Sequence, residues 1–314
     1  MNILITGGAG YVGTALVARL CDEGHKVVVL DDLSNGKRHF LDMRVSFVEG
    51  SILSKDDLED VFSMFQYDWV IHCAALKSAP DSEKNPTDYY RTNLSGLINV
   101  LSYMEKNKVK NIVFSSTAAV YAPDESGLYH EESSIRPPNI YGATKDAGEQ
   151  IIEQMYRTRV LDRYVIFRYF NVAGDCGIRY LNESDKNIFS LLTRVVRDDA
   201  MFTITGTNFA TPDGSGVRDY IHIEDLVEAH LRALGSDYSG IFNLGSQHGY
   251  SVREILQAFE EVSGRKIDVT EGDKRTGDAA IAIADASLAK KLLGWETTKT
   301  IHDMVQSSLA TIES

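Results

Sequence analysis

The sequence predicts an α/β fold with a parallel sheet, and three observations carry that expectation. Short apolar runs alternate with stretches of helical periodicity through the first half of the chain. Two of these runs, "VVVL" from Val27 and "NIVF" from Asn111, are almost wholly apolar, as strands covered on both faces must be. A glycine-rich turn, Gly7-Gly8-Ala9-Gly10-Tyr11-Val12-Gly13, joins the first apolar run to the first helical stretch.

In chain order, the pattern predicts strands at Asn2–Thr6, Lys26–Asp31, Val45–Val48, Trp69–Cys73, Asn111–Ser115 and Tyr164–Tyr169. Helices fall between them near Tyr11–Glu23, Lys55–Phe65, Asn93–Lys106 and Tyr141–Arg157. Beyond Asn171 the loops lengthen, and the strands at Phe202–Thr205 and Ile241–Leu244 look isolated. The expectation is a Rossmann-type, doubly wound dinucleotide-binding domain over residues 1–171. A smaller α/β domain over 172–314 would pack against it and supply a substrate cleft between the two. The strand–helix pattern "VRDYIHIEDLVEAHLRAL" gives the segment near 217–245 a route back to the first sheet.

Composition narrows the function. The 314 residues are 43% hydrophobic and 25% charged, the balance of a soluble globular protein. A net charge of −13, from 32 basic and 45 acidic residues, argues against a nucleic-acid surface but allows a small anion held by a few cations. Three dispersed cysteines suit neither a disulfide framework nor a zinc site, and eight histidines form no ligand-like cluster. No apolar run approaches the length of a signal or membrane span, so a cytoplasmic protein is expected, with no metal and no membrane partner.

Glycines 7, 10 and 13 allow a tight turn and close approach of a pyrophosphate to a helix N-terminus, where N–H groups and the dipole favour negative charge. Asp31 ends the second strand 18 residues past Gly13, close to the spacing at which a carboxylate binds ribose hydroxyls. It would repel a 2′-phosphate, which favours NAD over NADP. Further on, Tyr141 and Lys145 stand four apart on one helical face. A phenol with an ordinary pKa of about 10 is a poor base near neutrality, and a neighbouring ammonium would bring it toward the working range. Ser115, Ser116 and Thr117 put hydroxyls at the C-terminal end of a strand, where α/β folds place ligands.

With the glycine turn, "SSTAAVY", "YGATK", "RYFN", "GVRDYIH" and "GD…AD" in this order, nearly the whole chain resembles the extended short-chain dehydrogenase/reductase family, in its branch of UDP-sugar 4-epimerases. The resemblance implies that Tyr141 is the acid/base at the sugar 4-hydroxyl, that Lys145 binds nicotinamide ribose and lowers the tyrosine's pKa, and that Thr117 holds the 4-oxygen. It implies cofactor contacts from Gly7, Gly10, Tyr11, Val12, Gly13, Asp31, Asp32, Leu33, Ser34, Asn35, Gly36, Ser51, Ile52, Ala74, Ala75, Lys77, Asn93, Ser115 and Phe170. Asn171, Arg218, Arg275 and Asp278, with Lys77, match positions that hold the UDP-sugar, and a homodimer through the Asn93–Lys106 and Tyr141–Arg157 helices is implied as well.

Within that family, the 4,6-dehydratases follow the threonine with an acidic pair, whereas Ala118 and Ala119 stand here. Methyl groups do no acid–base work. The expectation is therefore interconversion of UDP-glucose and UDP-galactose through a 4-keto sugar with tightly bound NAD. The alternatives are another UDP-sugar (N-acetylhexosamine, uronate or pentose) or a 4-keto sugar reductase. Ser51 departs from the family's aspartate near the adenine, and the small Ala282 would leave room beside C2 of the sugar.

Overall fold

The computed structural model describes residues 1–180, 187–274 and 279–312, which fall into two compact units. The first comprises Met1–Ala122, Ser134–Arg168 and Val227–Phe242, and the second Pro123–Ser133, Tyr169–Leu226 and Asn243–Ser314.

A seven-stranded sheet organises the first. Its strands β1 (Asn2–Thr6), β2 (Lys26–Asp31), β3 (Ser46–Glu49), β4 (Trp69–His72) and β5 (Asn111–Thr117) pair in parallel in the order β5-β4-β1-β2-β3. Arg163–Tyr169 and then Gly240–Leu244 extend the β5 side. The strands at Gly240–Leu244 and Phe202–Thr205 are thus not isolated, the latter pairing in parallel with Val269–Gly272. Every residue of β4 is buried, and Leu4, Val28, Val70, Ile112 and Ile166 pack against helix residues Leu58, Leu97, Val100, Met104 and Ile152. Uninterrupted apolar strands are the consequence of such two-sided cover.

Helix boundaries follow their caps. Ser54 accepts the Asp57 N–H and starts the Lys55–Met64 helix, while Asn139 accepts the Gly142 N–H and starts Ile140–Arg157. Helix Gly96–Lys106 is preceded by a π-helical turn, Tyr90–Ser95, where the pattern alone suggested one helix from Asn93. π-turns are placed by tertiary packing, and periodicity does not reveal them.

The second unit centres on strand Val217–His222. It pairs in parallel with Ile281–Ala284 and Asn171–Ala173 and antiparallel with Gly249–Ser251, and Leu128–Tyr129 adds to Ile281–Ala284. Within the 217–245 segment, that strand stays in this mixed sheet, and Val227–Phe242 belongs to the first unit. A separate core gathers Phe189, Leu192, Ile204, Tyr220, Ile255, Phe259, Met304 and Val305.

Candidate active site

The glycine turn sits between β1 and the helix Tyr11–Asp22. Gly7 has φ 72°, and a Cβ on it would lie 2.5 Å from the Ala74 nitrogen; a Cβ on Gly13 would strike the backbone of Gly7 and Gly8. Packing within the protein accounts for those two. Gly10 differs, since a Cβ there would meet only the Gly7 carbonyl, at an ordinary 3.4 Å. No side chain caps the helix at Gly10 and no acidic residue lies in its first turn. An open backbone at an uncapped helix start is what a pyrophosphate requires.

Asp31 is 8% exposed, and its carboxylate accepts the Ala9 N–H and the Leu33 N–H, both at 2.9 Å. Burial raises its pKa against the pull of those two donors. Leu33 turns the chain at φ 56°, Asp32 accepts from the Ser34 N–H and hydroxyl, Asn35 is exposed, and Gly36 lies against Ala9 and Asp31. Ser51 is partly buried, Ile52 belongs to the core, and Tyr11 and Val12 are partly buried on the helix start. Asp57 was missed by the sequence reasoning; its carboxylate accepts the Ser51 N–H at 2.8 Å, and its place on the first turn of a Ser54-capped helix was the available signal.

After β4, Ala74 and Ala75 are partly buried and Lys77 is exposed. Asn93, only 2% exposed, uses its side chain to fix this loop: it accepts the Leu76 N–H, donates to the Leu76 carbonyl, and donates to Thr144 Oγ1 at 3.0 Å.

Three side chains converge at the end of β5. The Thr117 hydroxyl lies beside the Tyr141 phenol, where it favours the ionised form, and accepts the Ala119 N–H at 3.1 Å. Lys145 Nζ, 3% exposed, donates to the Ser115 carbonyl at 2.7 Å and lies 4.7 Å over the Phe114 ring. The Ser115 hydroxyl donates to Cys73 Sγ at 3.2 Å. Gly142 lets the helix start close on the Ala119 carbonyl, which a Cβ would strike. The backbone N–H groups of Ile140 and Tyr141 are held by Glu83 and Ser82.

Burial lowers the Lys145 ammonium to about 8, although Cys73 and Glu149 favour its charged form. Burial also pushes the Tyr141 phenol up to about 12; the neighbouring Thr117 hydroxyl acts against this, and Tyr89 adds to it. Lys145 is not among the groups that shift the phenol in the protein by itself. The ammonium is anchored on the Ser115 carbonyl, and desolvation dominates the phenol.

The second unit carries the remaining residues. Phe170 is buried, with its N–H on the Leu244 carbonyl, and Asn171 Nδ2 donates to the Asp219 carbonyl at 2.9 Å. Arg218 is partly buried, and its Nη1 donates to the Val217 carbonyl at 2.9 Å. Ala282 pairs with Arg218 across the sheet. Arg275 and Asp278 lie outside the described residues. Among the described residues, no group of histidine, cysteine and acidic side chains could hold a metal, and no helix is long and apolar enough to cross a membrane.

The model of the NAD dependent epimerase/dehydratase family matches residues 3–245. A UDP-glucose 4-epimerase of Lactobacillus helveticus is 37% identical over 99% of this chain and 96% of its own length. The structure of UDP-glucose-4-epimerase from Stenotrophomonas maltophila with bound NAD and formylated UDP-arabinopyranose matches with a TM-score of 0.94 at 33% identity, covering 99% of this chain and 98% of that one. That from Bifidobacterium longum in complex with NAD+ and UDP gives 0.91 at 35% identity, covering 98% and 97%. The chain belongs to the NAD dependent epimerase/dehydratase family, among its UDP-glucose 4-epimerases.

Proposed function

We propose that this protein interconverts UDP-glucose and UDP-galactose by transient oxidation at C4 of the sugar, with NAD kept bound through the cycle. One observation carries the reading. The Tyr141 phenol lies beside the Thr117 hydroxyl at a strand end, and only the methyl groups of Ala118 and Ala119 follow. A site with one acid–base group serves one proton leaving and returning, whereas dehydration needs more.

The residues present fit NAD. The open backbone at Gly10 suits the pyrophosphate, and the buried Asp31 carboxylate suits ribose hydroxyls. When bound, NAD supplies the acceptor and donor for the C4 hydrogen and, in its oxidised form, a positive charge. Tyr141 takes the proton of the 4-hydroxyl and gives it back to the 4-keto sugar. Thr117 holds the 4-oxygen, and Lys145 binds the nicotinamide ribose. Asn171, Arg218, Arg275 and Asp278 hold the UDP; a diphosphate suits the planar donor forks of arginine. Anchoring through UDP leaves the sugar able to present either face. Ile98, exposed on the Gly96–Lys106 helix, supports a homodimer through the Gly96–Lys106 and Ile140–Arg157 helices, and three free cysteines support a cytoplasmic setting.

Incubation with a panel of UDP-sugars, no NAD added, and product identification by NMR tests the proposal. UDP-glucose and UDP-galactose should each yield the other, with UDP-GlcNAc, a uronate and a pentose as comparisons. Turnover that consumes added NADH would instead make the protein a 4-keto sugar reductase.

A further inference from the structure

A buried ion pair stands directly behind the catalytic strand end. Glu149 follows Lys145 by four residues and Tyr141 by eight, so the three share one helix face. The side chains of Glu149 and Arg168 are 3% and 4% exposed. Arg168 donates from Nη2 to Glu149 Oε2 at 2.6 Å and from Nε to both carboxylate oxygens at 3.1 and 3.2 Å. Its Nη1 donates to the Tyr121 phenol oxygen at 3.0 Å, and the guanidinium lies 4.9 Å over that ring. Glu149 Oε1 also accepts from the Ser116 hydroxyl.

Ser116 is the middle residue of the strand end. Before it, the Ser115 carbonyl receives Lys145; after it, the Thr117 hydroxyl meets Tyr141. Side chains alternate along a strand, so Ser116 points away from the face of Ser115 and Thr117 and is free to be held from behind. Stability alone does not explain an ion pair here. Desolvating two charges is costly, and apolar residues of similar volume often stabilise a buried site as well or better.

We propose that Glu149, held by Arg168, is a positioning residue for the reaction: through Ser116 it fixes the end of β5, so that the Ser115 carbonyl and the Thr117 hydroxyl stay in register with Lys145 and Tyr141. This rests on the epimerase reading above. The groups facing Lys145 are the Ser115 carbonyl, the Phe114 ring, Cys73 and His72 from the neighbouring strand, and Glu149 from its own helix. Glu149 is the carboxylate among them, so it favours the ammonium as well as the geometry.

Three variants test the proposal, each measured for kcat, KM, pH profile, NAD binding by protein fluorescence, and thermal midpoint. Ser116→Ala should lower kcat about tenfold with KM and NAD binding unchanged, since a shift near 1 Å costs up to about 10²-fold. Glu149→Gln should lower kcat further and move the alkaline limb of its pH profile to lower pH, because Lys145 loses the carboxylate that favours its charge. The pair Glu149→Met with Arg168→Met should recover the thermal midpoint without recovering kcat. Recovery of kcat along with the midpoint in the pair would make the ion pair merely structural and overturn the proposal. So would wild-type kcat and pH profile in Ser116→Ala, which also decides the matter if the charged variants fail to fold. Absence of UDP-glucose turnover in the unaltered protein would instead overturn the proposed function, which keeps the two failures apart.

Discussion

The most deeply buried acidic groups of the two units are held in different ways. In the first, Glu149 meets a full cation, Arg168, deep in the fold. In the second, Asp219 is wholly buried, and the partners of its carboxylate are neutral: the N–H groups of Ser246, Gln247 and Ala284 and the Ser246 hydroxyl. Asp175 likewise takes the N–H groups of Gly177, Arg179 and Tyr180, and Asp225 those of Thr298 and Lys299. The contrast follows from the backbone. Long parallel strands satisfy their own N–H and C=O groups and leave side chains for chemistry. Short strands joined by long loops leave donors that must find side-chain acceptors, so the acidic residues of the second unit act as staples.

If that division of labour holds, the largest single effect belongs to the first unit. Tyr141→Phe should lower kcat by about 10³-fold or more while NAD remains bound, since positioned acid–base groups contribute about 10²–10⁴-fold. Steady-state rates beside a fluorescence titration with NAD check this. Turnover near the unaltered rate would remove Tyr141 from the chemistry.

Stability should divide along the same line. Asp219→Ala would leave four donors without their acceptor and cost about 3 kcal/mol or more, read from urea unfolding. The pH dependence sharpens the contrast. Burial raises the Asp219 carboxyl to about 6, against an ordinary 3.8, although its four donors pull the other way. A raised acid is stabilising while protonated, so its contribution is present below pH 4 and lost as the pH rises through 6. His72 in the first unit has the opposite sign. Burial first, and then Lys145, lower it from 6.5 to about 3; its Nδ1 is bonded to the Thr6 hydroxyl and its buried Nε2 has no hydrogen-bond partner. Its contribution is present above pH 6.5 and lost as the pH falls toward 3. Between pH 4 and 6, amide protection factors should therefore rise with pH in β1 and β4 and fall with pH in Val217–His222. Asp219→Asn should flatten only the second trend. A parallel change in both units would show that the two groups do not govern stability as their surroundings suggest.

The same contrast explains what the sequence revealed. The turn from Gly7 to Gly13, Asp31, and the Tyr141–Lys145 pair were legible because their chemistry lies at fixed local spacings. Even there, the sequence did not show that both Asp31 oxygens are taken by Ala9 and Leu33, or that Asn93 spends its amide on Leu76 and Thr144. Glu149 carried a usable signal, four residues past Lys145, but Arg168 is 19 residues further on and belongs to another element. In the second unit, the bonds of Asp219 span 27, 28 and 65 residues, and no periodicity encodes partners that distant.

The smallest expected effect concerns Arg218, where the comparison is most easily broken. Its Nη1 already donates to the Val217 carbonyl, so the guanidinium is held to its own strand and does not swing freely. A fork fixed in this way suits a diphosphate that must be gripped equally before and after the sugar turns over. Such uniform binding lowers KM without raising kcat. Arg218→Ala should then raise KM for the UDP-sugar about tenfold, a loss within the range of one charge-assisted hydrogen bond, with kcat changed far less. Arg218→Lys should recover only part of it, because a point charge does not replace a planar fork. Should Arg218→Ala lower kcat as steeply as Tyr141→Phe with KM unchanged, Arg218 would be acting in the bond-making step and not in uniform grip.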